Sequence, residues 1–256
     1  MVEKWKLALK EYLKDYEEND DVVGAVLCGS YATGNDDDKS DVDVYLILKD
    51  SCDYQIRGNT ECNSYLIEYF IEPKYKIKES LEKEHNNYLC INANMLAYGK
   101  IIYDLDGSAK ELQDLALTYV DKPYDVITNK KLGMNNYLIW DLMDELKGAL
   151  DENRPDFLPI YCKLLRRVYE AYSEYESLSK LPDTKIYKIL TCEEYRKKYH
   201  VFNLPDEEFT KLYIKCYEMD KNLIMYKNML NLVNYYYEKQ GGFNIRTFVL
   251  KTKWGK

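Results

Sequence analysis

Histidine is nearly missing from this chain: His85 and His200 are the only two in 256 residues. Both stand among polar neighbours and read as surface positions, so a zinc site has little to build from. The seven cysteines, at 28, 52, 62, 90, 162, 192 and 216, are odd in number and show no paired spacing. Reduced thiols that mostly fill the core are therefore expected, rather than a disulfide framework. No run approaches the roughly eighteen apolar residues that a membrane-spanning helix needs, and the opening Met1-Val2-Glu3-Lys4-Trp5-Lys6 lacks the apolar stretch of a secretory signal. A cytoplasmic protein without a membrane partner is expected. Positive charge is in deficit as well, with 36 Lys and Arg against 44 Asp and Glu and a net charge of -8. A protein that grips a phosphate backbone presents a basic face, so general nucleic-acid binding is disfavoured.

The length suits one large or two modest domains. In the first part, Trp5, Leu7, Leu9, Tyr12, Leu13 and Tyr16 form the stripe of a helix that would cover a sheet. Val22 to Leu27 is an apolar run of strand length, followed by a second around Val42 to Leu48. The segment Tyr54-Gln55-Ile56-Arg57, a Gly58-Asn59 turn and the strand Tyr65 to Glu72 suggest an antiparallel pair. Helices are expected after Pro73 and from Tyr88 to Tyr98, then a short strand Lys100 to Tyr103 and a helix opened by a Ser108/Glu111 capping box. Beyond Tyr124 the pattern is helical: about 128–150, 156–177, 184–190, 192–198 and one long helix 206–239, with a final strand over Phe243 to Leu250. The expected fold class is α+β: an N-terminal α/β domain with a mixed sheet over 1–122, and a helical domain with a C-terminal strand over 123–256.

The chemistry concentrates in Gly29-Ser30, an acidic loop from Asn35 to Lys39, and Ser40-Asp41-Val42-Asp43-Val44. A strand has period two, so Asp41 and Asp43 point to one face. Adjacent carboxylates repel, and the usual remedy is a divalent cation; magnesium takes oxygen ligands from one or two carboxylates together with substrate phosphates. A glycine-led turn into a helix aims backbone N–H groups and a hydroxyl at phosphate. A solvated acidic loop explains Asp36, Asp37 and Asp38, but not Asp41 and Asp43 threaded between Val42, Val44 and Leu46.

A strand, Gly-Ser, ten intervening residues and Asp-x-Asp on the next strand resembles the DNA polymerase beta-like nucleotidyltransferase superfamily, especially its small-molecule branch of kanamycin and lincosamide nucleotidyltransferases. The resemblance implies a third carboxylate on a later strand, for which Glu68 stands in an otherwise apolar run, with Glu72 a rival. It implies that Asp41, Asp43 and Glu68 are catalytic and hold two Mg2+ ions, and that Gly29, Ser30, Lys39 and Ser40 contact an NTP, ATP being the leading candidate. It also implies transfer of an NMP to a hydroxyl of a small, antibiotic-like acceptor with release of pyrophosphate. Family members often carry arginine where Thr33 stands, a contact that Lys39 could supply. Two alternatives stay open: nucleotidylation of a protein or a tRNA end, and a nucleotide-binding regulator without catalysis. Intact Asp41, Asp43 and Glu68 weigh against the regulator.

On the helix over 128–150, Leu138, Leu142, Leu146 and Ala149 gather on one side. Tyr137, Trp140, Asp141 and Asp144 gather opposite. This aromatic and acidic strip is expected to meet either the acceptor or a second copy of the chain in a homodimer.

Overall fold

The computed structural model describes residues 4–251, and the chain divides after Pro123 into two compact units. In the first, α1 (Lys4–Glu17) precedes β1 (Val22–Leu27), the short helix α2 (Gly29–Thr33) and β2 (Val42–Leu48). The hairpin β3 (Ile56–Cys62) and β4 (Tyr65–Pro73) follows, then α3 (Lys74–Asn86), α4 (Ile91–Ala97), β5 (Lys100–Asp104) and α5 (Ser108–Asp121). The strands form one five-stranded mixed sheet in the order β3-β4-β2-β1-β5, with β2 and β4 parallel and the other pairs antiparallel. Strand β1 is buried along its whole length, as an unbroken apolar run requires.

Each face of the sheet has its own cover. Leu9 and Leu13 of α1 pack with Val44, Leu46, Ile67 and Ile71 on one side. On the other, Tyr45, Ile47 and Phe70 pack with Ile77 and Leu81 of α3, Leu96 of α4, and Leu112 of α5. Burying one such side chain stabilises a fold by roughly 1.5–3 kcal/mol, and the two clusters fix β2 and β4 side by side.

Several local expectations fail for identifiable reasons. Gly58 and Asn59 lie inside β3, and the turn is Asn63-Ser64, both with positive φ (49° and 67°), the backbone of a two-residue hairpin. Gly58 is small because the Tyr69 ring crosses it: a Cβ there would stand 2.5 Å from the Tyr69 hydroxyl. The Ser108/Glu111 capping box does not form either. Asp104 takes the Ala109 and Lys110 N–H groups at 3.1 and 3.0 Å, while Glu111 pairs with Lys74 and Lys78. His85 is buried, at 5% exposure, with its ring 5.6 Å from that of Tyr119; it is not a surface residue.

The second unit comprises α6 (Asn129–Asp151), α7 (Phe157–Tyr175), α8 (Ile186–Thr191), α9 (Glu193–Lys198), α10 (Glu207–Lys215) and α11 (Asn222–Lys239). Its core joins Ile139, Leu146, Tyr161, Tyr172, Phe209 and Leu232, among others. The long helix expected over 206–239 is two helices, because Tyr161 donates to the Cys216 carbonyl at 2.7 Å and Asp220 takes the Lys221 N–H at 2.6 Å. The expected strand over Phe243 to Leu250 is a single 3-10 turn, Ile245–Thr247, opened by Asn244 accepting from the Arg246 N–H. Within a helical unit this segment has aromatic faces to lie on: Phe248 stacks on Tyr137 at 5.7 Å and Phe243 on Tyr237 at 5.2 Å. The aromatic part of the α6 strip is thus partly covered by the chain itself, whereas Asp141 and Asp144 are exposed. No helix among the described residues is long and apolar enough to cross a membrane.

Asp206 ties three elements of this unit together. Its carboxylate caps α10 through the Phe209 N–H at 2.8 Å, accepts from the Tyr172 and Tyr235 hydroxyls, and pairs with Lys239 at 3.1 Å. Burial acts to raise its pKa, but these donors and the Lys239 charge outweigh burial and hold it near 2, below the ordinary 3.8. A depressed folded-state pKa stabilises above the unfolded value, so this contribution should be complete above about pH 4 and drain away toward pH 2. Asp206→Ala should cost about 1–2 kcal/mol of unfolding free energy at neutral pH, and chemical denaturation should show that deficit shrinking as pH falls from 4 to 2.

Candidate active site

The site begins where β1 ends. Cys28 is extended and fully buried; its N–H donates to the Asp43 carbonyl at 2.8 Å, which locks the turn onto β2. Burial, and then the neighbouring Asp43 charge, push the Cys28 thiol pKa up, so this sulfur stays protonated and takes no part as a nucleophile. Gly29 follows with φ +65. A Cβ there would overlap the Asp43 carboxylate, standing 2.9 Å from its Cγ, so glycine is required twice over, by conformation and by space. The backbone turn therefore lies directly against one carboxylate.

Helix α2 then runs for one turn. Its C-terminus is closed by Gly34 in the left-handed conformation and by Thr33 Oγ1, which donates to the Gly29 carbonyl at 3.2 Å. Its opening N–H groups, from Ser30 onward, have no acceptor within the helix. Tyr31 points inward, 7% exposed, against Trp5 and Tyr65, and so anchors the turn to the core. Burial, then the acids Asp36, Asp37 and Asp38 with Tyr65, raise the Tyr31 pKa, a sign of how negative the local field is.

The acidic loop is not merely solvated. Asp37 accepts from the Lys39 N–H at 2.9 Å and from the Ser40 hydroxyl at 3.2 Å, and Ser40 Oγ accepts from the Asp37 N–H at 2.9 Å. The Ser40 hydroxyl is thus engaged in shaping the loop that delivers Asp41, while Lys39 is exposed.

Asp43 sits in register with Glu68 across the parallel β2–β4 ladder, and one carboxylate oxygen from each of Asp41, Asp43 and Glu68 lies within 4.8 Å of the others. All three are partly exposed. Three hard oxygen donors without histidine or thiolate suit Mg2+ or Mn2+ rather than zinc. Glu72 pairs instead with Ile47, four residues along β4, about 13 Å away at strand rise, and burial raises its pKa. Register thus places Glu68, and not Glu72, beside Asp43. Sequence reasoning missed Arg57, whose guanidinium reaches Glu68 Oε1 at 2.9 Å. Once the hairpin turns at Asn63-Ser64, Arg57 stands opposite Phe70, beside Glu68; a turn at Gly58 hides that neighbourhood.

The mixed sheet thus sets a glycine-serine turn against three gathered carboxylates. Residues 8–108 match the family model for the polymerase beta nucleotidyltransferase domain, a match that supports the DNA polymerase beta-like nucleotidyltransferase superfamily for this unit. Among solved structures, the chain is similar to a nucleotidyltransferase-like protein from Exiguobacterium sibiricum 255-15, with a TM-score of 0.51 and 10% identity over 92% of this chain and 75% of that one. At that identity the likeness speaks for the fold. No curated protein matches the sequence.

Asp41→Asn and Asp43→Asn should each keep a cooperative melt while losing Mn2+ binding, since removing one of three repelling charges relieves the metal-free protein. Gly29→Ala should lower the melting temperature as well, through the strained φ and the displaced Asp43. Calorimetric melts with and without Mn2+ separate the two behaviours.

Proposed function

We propose that the protein transfers an NMP from an NTP, ATP first among candidates, to a hydroxyl of a small acceptor. The observation that carries this reading is the gathering of Asp41, Asp43 and Glu68 within 4.8 Å beside the Gly29 turn. Phosphoryl and nucleotidyl transfer depend on positioning and charge neutralisation more than on covalent help from the protein. Divalent ions bound there would neutralise the phosphates and lower the pKa of the attacking hydroxyl. Asp41, Asp43 and Glu68 would hold those ions, and Ser30 Oγ with the first N–H groups of α2 would hold the outer phosphates. Gly29 permits the phosphates to approach Asp43 without a side chain between them.

The helical unit is the place we assign to the acceptor. On α6, Trp140 is half-buried and Asp141 and Asp144 are exposed, an aromatic surface beside carboxylates suited to a sugar or a cationic amine. The same strip would serve a homodimer, and transfer to a protein or tRNA end is the second enzymatic reading. The net charge of -8 favours a small acceptor over RNA. A silent regulator would have no use for three carboxylates kept at mutual repulsion.

Incubation with each of the four NTPs, Mg2+ and a panel of aminoglycosides, lincosamides and simple polyols, read by mass spectrometry, should yield an acceptor-NMP ester and pyrophosphate. Glu68→Gln should abolish the product, and Ser30→Ala should weaken NTP binding by roughly 1–2 kcal/mol. Alanine at both Asp141 and Asp144 should raise the acceptor KM and leave NTP affinity alone; a change in oligomeric state alone would make the strip an interface. Absence of product across the panel, with bound nucleotide intact, would favour the regulator.

A further inference from the structure

Arg57 lies among groups that its role as a strand residue does not explain. On β3 it pairs with Phe70, and its guanidinium rests over the Phe70 ring, 4.6 Å from the centroid. From there one nitrogen reaches Glu68 Oε1 at 2.9 Å. Glu68, Phe70 and Glu72 alternate along β4 and so share a face, which places the ring between the two glutamates. Glu72 is half-buried; burial raises its pKa, and the Arg57 charge is what offsets that rise. One guanidinium on an aromatic platform thus has a carboxylate on either side.

Resting on the divalent-cation reading of the carboxylate triad, we propose that Arg57 is a displaceable counter-ion. It holds Glu68 in the metal-free protein and moves to Glu72 when a divalent cation takes Glu68. A guanidinium and a divalent cation on one carboxylate repel each other and divide its charge, so the arginine must yield. Yielding is cheap, because the Arg57 side chain is 70% exposed and a pair so exposed is weak. The Phe70 ring lies between the two glutamates on this face of β4 and offers the guanidinium a platform along that path. Glu72 in turn has a buried charge to neutralise, which gives the arginine a second seat. In this role Arg57 is a positioning residue: it keeps the third carboxylate aligned before the cation arrives and sets how tightly the cation binds.

The test is Mn2+ binding to the full chain without nucleotide, read by electron paramagnetic resonance. Arg57→Gln should bind Mn2+ roughly two- to fivefold more tightly than wild type, the factor expected from removing a competing exposed ion pair. Glu72→Gln should bind more weakly by a similar factor, because the arginine loses its second seat. In the double variant the Glu72 effect should vanish, leaving the affinity of Arg57→Gln alone. A merely structural role for either residue predicts no such opposite signs. Arg57→Gln binding as wild type or more weakly, or a Glu72 effect that persists without Arg57, overturns the inference. A wild type that binds Mn2+ no better than Asp43→Asn is a different result: it removes the metal clamp itself.

Discussion

Mutual repulsion among Asp41, Asp43 and Glu68 is the constraint on which the first unit is built. Two unit charges 4.8 Å apart repel by about 1 kcal/mol in bulk water and by about 3 to 4 kcal/mol at the effective dielectric of a protein surface. The Arg57–Glu68 pair offsets part of this at one carboxylate, and the sheet fixes the three in place. The parallel ladder of β2 and β4 sets Asp43 opposite Glu68. Buried neighbours on both faces, Val42, Val44 and Tyr45, resist any slip. A one-residue slip would send every side chain of the strand to the opposite face. The cost borne at the strand end is offset by apolar burial further along the same strands.

This division explains what was legible beforehand. Strand period and burial are properties of neighbouring residues, so the shared face of Asp41 and Asp43 could be read directly, as could the apolar strand carrying Glu68. The requirement for Gly29 was legible only in part: a turn asks for glycine, but the overlap of its missing Cβ with Asp43 depends on a residue fourteen positions on. The Arg57–Glu68 pair was hidden for a single reason, the position of the hairpin turn. Gly58-Asn59 carries the stronger turn signal, yet Asn63-Ser64 makes the turn, because the Tyr69 ring needs Gly58 where it is. Cross-strand sterics overrode local propensity.

In the helical unit the misreadings come from partners that lie outside the segment being read. The break between α10 and α11 follows from Tyr161 claiming the Cys216 carbonyl, and no periodicity in 206–239 announces a donor from another helix. Glu174, 4% exposed, is likewise held across helices by Asn135 and Lys131 of α6. The final alternating segment, Phe243 to Leu250, has the pattern of a strand but no strand to join in its unit. Its aromatics stack on Tyr137 and Tyr237 instead. Alternation is a statement about faces, and only the surroundings decide whether a sheet supplies them.

The charge around the triad bears on the order of events under the function proposed. The loop beside it carries Asp36, Asp37 and Asp38, the triad adds three more carboxylates, and the whole chain is acidic. A free nucleotide is itself strongly anionic, so its phosphates meet a repulsive field at the same turn that offers them N–H donors. Arg57 neutralises one charge and Lys39 stands exposed nearby in sequence, which is too little to invert the sign. Under the proposed function, nucleotide and divalent cation would therefore reinforce each other's binding, and by linkage the reinforcement would be equal in both directions. On the same proposal, an acidic site of this kind would gain selectivity from its own repulsion, turning away a nucleotide without its cation and admitting the neutralised pair.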